Sequence, residues 1–172
     1  ANTSAHLKVL KRAHLVESRK EGRRKFYSLA GDSALHLWLA LRDMGLQELP
    51  EVREAMRDHA SEPALLPDLA GEELLEKVRS GDVVLLDLRP AEEYESGHIP
   101  YAQSLPGDQL EERLEELPED RTVVAYCRGP YCVAAIKSVD KLREAGFEAR
   151  RLAEGVAEWK AAGHPLEVVE EA

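Results

Sequence analysis

The sequence has no long apolar run, no cysteine before position 127 and few aromatic residues. The first absence excludes a membrane-spanning helix, which needs about 20 consecutive, mostly apolar residues. The stretch from Ala1 to Leu15 alternates apolar with basic residues and lacks the hydrophobic segment of a secretory signal. Two cysteines in 172 residues do not make a disulfide framework, and free thiols in a reducing cytoplasm are the expected use. There is no internal repeat and no low-complexity tract. What remains is a globular composition, 44% hydrophobic and 33% charged with 5% aromatic, enough for a packed core under a charged surface. The length accommodates one domain or two small ones.

The net charge of −10 is unevenly placed. Residues 1–30 carry Lys8, Lys11, Arg12, Arg19, Lys20, Arg23, Arg24 and Lys25 against Glu17 and Glu21, a net of +6 that leaves −16 for the rest. A basic head on an acidic body suggests a polyanion-binding end joined to a body with another task. A basic helix on an ordinary surface would carry the same charges.

The pattern of residues separates the same two parts. Ala5, Leu7, Leu10 and Ala13 recur at helical spacing between Asn2 and Leu15. Val16–Lys20 and Arg23–Leu29 read as two strands around a Glu21-Gly22 turn. Asp32 is placed to cap a helix reaching Met44, with Leu35, Trp38, Leu39 and Leu41 as its apolar face, and Pro50–His59 is helical in character. Ser61–Pro67, with two prolines, reads as a linker. Beyond it, helical Glu72–Arg79 leads into the apolar strand Val83–Leu88, and a second such strand, Thr122–Tyr126, ends at Cys127. Helix Val133–Ala145, strand Ala149–Leu152 and helix Val156–Ala162 follow. Strands alternating with helices define α/β architecture.

Cys127-Arg128-Gly129-Pro130-Tyr131-Cys132 lies between a buried strand and a helix, where ligands sit in open α/β sheets. A loop there can aim several backbone N–H groups at one point, backed by the helix dipole. Such a cradle is expected to lower the thiol pKa of Cys127 and hold it as a nucleophilic thiolate, with Arg128 as a fixed positive charge. A buried structural cysteine at a strand end is the plainer alternative.

The segment Asp87-Leu88-Arg89-Pro90-Ala91-Glu92-Glu93-Tyr94-Glu95-Ser96-Gly97-His98-Ile99-Pro100-Tyr101-Ala102 resembles the D-x-R-x-x-x-E-[FY]-x-x-G-H-I-x-x-A signature of rhodanese domains. Gly146-Phe147 and Leu152-Ala153-Glu154-Gly155-Val156-Ala157-Glu158-Trp159 resemble their closing motif G-[FY]…L-x-G-G-x-x-x-W, with Glu154 departing at the first glycine. The resemblance covers about residues 68–168. It implies a rhodanese-like open parallel sheet flanked by helices, a persulfide-forming Cys127, and support from Asp87, Arg89, Glu93 and His98, whose alternative role is to maintain the fold.

Phosphatases on this fold use a Cys-x5-Arg loop, and six positions on from Cys127 stands Val133, which cannot clamp a phosphate. Thiosulfate-using relatives often carry a basic residue late in the loop, where this chain has Tyr131 and Cys132, so recognition of a sulfonate-bearing donor is expected to be weaker. Pro130 lacks an N–H and removes one donor from the cradle. Two roles stay open for Cys132: attack on a Cys127 persulfide, or packing at the start of its helix. The C-x4-C pair lacks further obvious ligands for zinc.

Ser4-Ala5-His6-Leu7-Lys8-Val9-Leu10-Lys11-Arg12-Ala13-His14-Leu15-Val16 with Arg19-Lys20-Glu21-Gly22-Arg23-Arg24-Lys25-Phe26-Tyr27-Ser28-Leu29 resembles the recognition helix and wing of ArsR-type repressors. His14 replaces a glycine of the helix-ending turn, a place where His tolerates the backbone angles. The resemblance implies that Asn2, Thr3, Ser4 and His6 face base edges in the major groove. Lys8, Lys11, Arg19, Lys20, Arg23, Arg24 and Lys25 would contact phosphates. It also implies that helix Asp32–Met44 dimerises the chain, and that helices normally preceding the recognition helix lie before Ala1. Asp32, His36 and His59 form no convincing metal-ligand set.

The expected organisation is a partial winged helix-turn-helix with a dimerisation helix over residues 1–60, a linker over 61–67 and a rhodanese domain over 68–172. The expected protein is a cytoplasmic, homodimeric DNA-binding regulator that takes up sulfane sulfur as a persulfide on Cys127. Its partners would be double-stranded DNA, a sulfane-sulfur donor and a thiol acceptor, with no cofactor, metal or membrane. Two alternatives remain: a sulfurtransferase whose head only dimerises it, and a catalytically idle rhodanese fold used for binding.

Overall fold

The computed structural model describes residues 2–57, 65–66 and 71–169. The chain divides into two compact units, Ala1–Val52 and Arg53–Ala172.

In the first unit, helix α1 (Thr3–Arg12) precedes an antiparallel hairpin of β1 (Val16–Glu21) and β2 (Arg24–Leu29), followed by α2 (Asp32–Glu48). His14 holds φ 56° and Gly22 holds φ 56°, both in the left-handed region, so the helix stop and the hairpin turn fall where the sequence places them. The residue before α2 is Gly31, with φ 90°, and it occupies the cap position expected for Asp32, which is instead the first helical residue. The helix also runs a turn beyond Met44. Helix α1 buries none of its residues within this unit, and only Ala34 and Leu35 of α2 are buried.

Helix α3 (Pro50–Arg57) leads into the second unit, whose elements are β3 (Leu65–Leu66), α4 (Gly71–Ser80), β4 (Val83–Asp87), α5 (Ala91–Ser96), β5 (Gln103–Ser104), a 3-10 helix (Glu111–Glu116), β6 (Thr122–Tyr126), α6 (Val133–Glu144), β7 (Ala149–Leu152) and α7 (Val156–Ala161). The sheet is fully parallel in the order β3-β7-β6-β4-β5. Leu65 and Leu66, inside the stretch read as linker, pair with Arg151 and Leu152 as an edge strand. Two residues between prolines are too short to carry a strand period, and the remainder of that stretch, like His59, lies outside the described residues.

Side chains alternate across the central strands, as the two-residue period requires. Val84, Leu86 and Leu88 with Val123, Ala125 and Cys127 pack under α6, against Ala135, Val139 and Leu142. Val83, Leu85, Val124 and Tyr126 pack on the other face with Leu74 and Leu75 of α4, Ile99 and Trp159. Each fully buried aliphatic side chain there contributes about 1.5–3 kcal/mol, which explains why both strands read as unbroken apolar runs. The same alternation sends Cys127 and Tyr126 to opposite faces.

Candidate active site

Strand β6 ends at Tyr126, and the loop from Cys127 to Cys132 turns into α6, with Cys132 as the residue preceding the helix. A turn bond from the Cys132 N–H to the Gly129 carbonyl (3.2 Å) closes the loop. Gly129 holds φ 145°, a conformation open to glycine. From behind, the loop rests on Gly155: a Cβ at that position would lie 2.5 Å from Gly129 N and 2.7 Å from Cys127 O. This close approach is the physical reason for the second glycine of the closing motif. Glu158 accepts a bond from the Gly155 N–H (2.8 Å) and fixes the start of α7. Trp159 donates from Nε1 to the Pro165 carbonyl (2.7 Å).

Cys127 is 4% exposed, yet it lines a cavity of about 360 Å³ together with Leu88, Pro106, Arg128, Lys137 and Lys141. The two lysines lie one turn apart on α6. They add positive charge to the cavity wall from a helix face, in addition to Arg128 of the loop. Lys141 pairs with Glu111 (2.6 Å) and draws that carboxylate below its ordinary pKa.

The two sulfurs meet different groups. The cradle of N–H groups serves Cys132 more than Cys127. Cys132 makes no conventional cap bond, but its pKa is lowered to about 5, first by the hydrogen bond from Cys127 and then, against burial, by the N–H groups of Ala135, Arg128 and Ala134. Cys127 is pushed up, first by its hydrogen bond to Cys132 and then by burial; the Arg128 N–H opposes both. One strand-end residue meets one loop amide, whereas the residue at a helix start meets the free N–H groups of the first turn. The two thiols are thus coupled, Cys127 shifted up and Cys132 down, and they titrate as a pair.

The supporting residues divide between the two faces of the sheet. Glu93 forms a forked ion pair with Arg128 (3.1 Å to Nε), so it does reach the loop. Asp87 is fully buried on the opposite face. Its carboxylate takes Arg89 Nε at 2.9 Å and Nη2 at 2.6 Å, and the Tyr126 hydroxyl at 2.7 Å. Arg89 also binds the Gly97 carbonyl (2.7 Å), and the Tyr126 oxygen accepts from the Ile99 N–H (3.1 Å). His98 stacks on Tyr94 at 3.8 Å and shares a hydrogen bond with its carbonyl (2.9 Å). Asp87, Arg89 and His98 therefore tie residues 94–99 to the sheet and lie across it from Cys127.

Sequence reasoning missed Arg151. It is 1% exposed on β7, and its Nη1 donates to the Pro130 carbonyl. Its Nε and Nη2 have no hydrogen-bond partner, and its charge interacts with Cys132. The signal was present as a two-residue period, because Arg151 shares the inward face with Ala149 while Arg150 faces solvent.

In the first unit, the residues expected at DNA, Asn2, Thr3, Ser4, His6, Lys8, Lys11, Arg19, Lys20, Arg23, Arg24 and Lys25, are all exposed. Lys11 Nζ bonds Ser18 Oγ, which ties α1 to the hairpin. Arg19 pairs with Glu21 (2.7 Å) and lies over the Phe26 ring. In the hairpin register, Lys20 stands directly opposite Lys25, close to Arg23 and Arg24 at the turn.

Among the described residues no group of three or more His, Cys, Asp or Glu side chains is placed to hold a metal ion, and no helix is long and apolar enough to cross a membrane.

Comparison with known proteins matches these features to a family. The model of the rhodanese-like domain matches residues 70–162, and the chain belongs to that family. The HTH-type transcriptional regulator Rv0324 of Mycobacterium tuberculosis is 42% identical over 95% of this chain and 72% of its own length, so the similarity runs through both units. A sulfurtransferase of Allochromatium vinosum is 34% identical over 49% of this chain and 78% of its own. Among solved structures, the BH2092 protein of Bacillus halodurans superposes with a TM-score of 0.55 at 29% identity, covering 68% of this chain and 86% of that one.

Proposed function

We propose that the chain is a DNA-binding transcriptional regulator whose rhodanese domain takes up sulfane sulfur as a persulfide on Cys127. The observation that carries this reading is the joining of an exposed basic helix–hairpin to a cysteine-lined, cation-flanked cavity, in a chain similar to a transcriptional regulator along 95% of its length. The domains are residues 1–60, a partial winged helix-turn-helix with its dimerisation helix, and 68–172, the rhodanese domain, with 61–67 between them.

An anionic sulfane-sulfur donor enters beside Arg128, Lys137 and Lys141. Cys127 Sγ attacks the sulfane sulfur as its proton passes to solvent, and the donor's remainder leaves with the electron pair. Persulfide formed in this way carries negative charge next to Arg128 and the loop amides. A thiol acceptor then removes the sulfur. Glu93 positions Arg128, while Asp87, Arg89 and His98 maintain the fold.

In the first unit, Asn2, Thr3, Ser4 and His6 read bases while Lys8, Lys11, Arg19, Lys20, Arg23, Arg24 and Lys25 hold phosphates of double-stranded DNA. Lys20 and Lys25 support this, since they stand opposite each other in the hairpin, with Lys25 Nζ over the Tyr27 ring, and present two positive charges on one exposed face. Leu37, Trp38, Leu41 and Met44 expose an apolar face on α2, as a homodimer would require.

The test is a mobility shift on DNA upstream of the protein's own reading frame, at several salt concentrations, with and without inorganic polysulfide. Binding that weakens steeply with salt, and that polysulfide alters in the wild type but not in Cys127→Ser, is the expected result. Identical binding with and without polysulfide overturns the coupling, and no retardation at low salt overturns the DNA reading.

A further inference from the structure

Arg151 is a buried cation for which the sulfur-uptake step has no use. Its Nε and Nη2 find no partner, although an unmade hydrogen bond on a buried charged group is costly. A cation so placed is stabilised only if an anion lies near it. Asp108, which lines the cavity, and Glu158, which sits against Gly129, both lie around the loop. No ion pair joins Arg151 to a carboxylate among the described residues; Nη1 donates to the Pro130 carbonyl of the cysteine loop, burial lowers the guanidinium pKa, and the charge of Cys132 opposes that lowering. Cys132 also faces the open N–H groups of a twelve-residue helix and the thiol of Cys127, and it packs against the same core.

We propose that Cys132 is a second reacting sulfur, positioned by Arg151, which attacks the Cys127 persulfide to close a Cys127–Cys132 disulfide and release sulfide. This rests on the persulfide reading above and extends it to an activity, the reduction of sulfane sulfur to sulfide at the protein's expense. The balance is complete. A proton from Cys132, or from solvent where Cys132 is already ionised, passes to the outer sulfur of the persulfide, giving Cys127–Sγ–SH and a Cys132 thiolate. The thiolate attacks Cys127 Sγ, the Sγ–S bond breaks with its electron pair on the outer sulfur, and HS⁻ leaves. The two cysteines are oxidised and the sulfane sulfur is reduced. Low-molecular-weight thiols, two per turnover, return the pair to its starting state.

The attack is intramolecular, so it outruns thiols from solution. It also gives the chain two covalent end states, persulfide and disulfide, that differ in charge beneath the same loop.

The experiment follows the intact mass of the full chain, together with released sulfide, after a brief exposure to inorganic polysulfide. Wild type is expected to end lighter by two hydrogens with one sulfide released, whereas Cys132→Ser stops with one added sulfur on Cys127. The added sulfur should survive at least about 100-fold longer in the variant, a small part of the advantage of about 10⁵ M effective molarity that a well-oriented intramolecular nucleophile reaches. If wild type keeps the added sulfur as long as Cys132→Ser does, this proposal fails and the persulfide reading stands. If neither chain gains sulfur or loses hydrogens, both fail.

Arg151 is tested separately, through the pH dependence of Cys132 alkylation in the Cys127→Ser chain. The groups facing Cys132 there are Arg151, Arg128 and the first amides of α6. Arg151→Met should raise the midpoint by about one unit or more, and Arg151→Lys should restore it. A midpoint that Arg151→Met leaves in place overturns the role of Arg151.

Discussion

Gly155 approaches Gly129 so closely that a methyl group on it would lie 2.5 Å from the Gly129 nitrogen. Its own backbone, φ −106° and ψ −174°, is open to any residue, so the requirement for glycine is purely one of space. The obstructing atoms are backbone of the cysteine loop, which cannot swing aside as a side chain would. Gly155→Ala should therefore cost about 1–3 kcal/mol of stability by overpacking. It should also displace the loop, so loss of Cys127 persulfidation in excess of the loss of fold is expected. Urea unfolding and intact-mass measurement on the same variant separate the two effects.

The Asp87–Arg89–Tyr126 network makes a different prediction because it lies across the sheet from the cysteines. Arg89→Met leaves a buried carboxylate without its cation and should destabilise the second unit by about 3–5 kcal/mol. Tyr126→Phe removes one hydroxyl bridging Asp87 and the Ile99 N–H, and should cost about 1–3 kcal/mol. In both variants the fraction that remains folded should still take up sulfur on Cys127. Uptake lost in the folded fraction would show that the network acts on the chemistry.

Much of this architecture was legible in the residues. β6 falls where its apolar run places it, and β4 ends one residue sooner, because a strand buried on both faces writes itself as an unbroken run; β7 also falls where it was read, although two of its four residues are arginines. The helix stop at His14 and the position of Cys127 were equally plain. What escaped was short or non-local. Helix α5, strand β5 and the 3-10 helix are six residues or fewer, too short for a period to show. Which sulfur collects the amides depends on the turn between Gly129 and Cys132, and a sequence does not fix that geometry. Lys137 and Lys141 reach the cavity from a helix face, beyond the loop in which a basic residue was sought.

The coupled thiols predict a particular titration. A free cysteine ionises near about 8.5. Cys132 is shifted down, so its charge should persist from neutral pH to about 5 and disappear below that. Cys127 is shifted up, so it should stay protonated well into the alkaline range. The ultraviolet absorbance of wild type should show one thiolate at neutral pH, lost as pH falls through about 5. Brief alkylation of the wild type at neutral pH, followed by peptide mapping, should label Cys132. A label found on Cys127 would place the charge there instead.

The hairpin offers a prediction in which stability and binding move in opposite directions. Lys20 and Lys25 face each other across the two strands, an arrangement that weakens the isolated hairpin. Lys20→Thr removes the repulsion, keeps Lys25 Nζ over the Tyr27 ring and places a residue of high strand propensity, so thermal unfolding of the first unit should move up. If the pair grips a DNA phosphate, the same change removes one released counterion. Affinity should then fall, and the slope of log affinity against log salt should become shallower by about 1. The decrease should be the same on every DNA sequence, because a phosphate contact carries no base information. A variant that is more stable yet keeps the full slope would show that these lysines face solvent while DNA binds elsewhere.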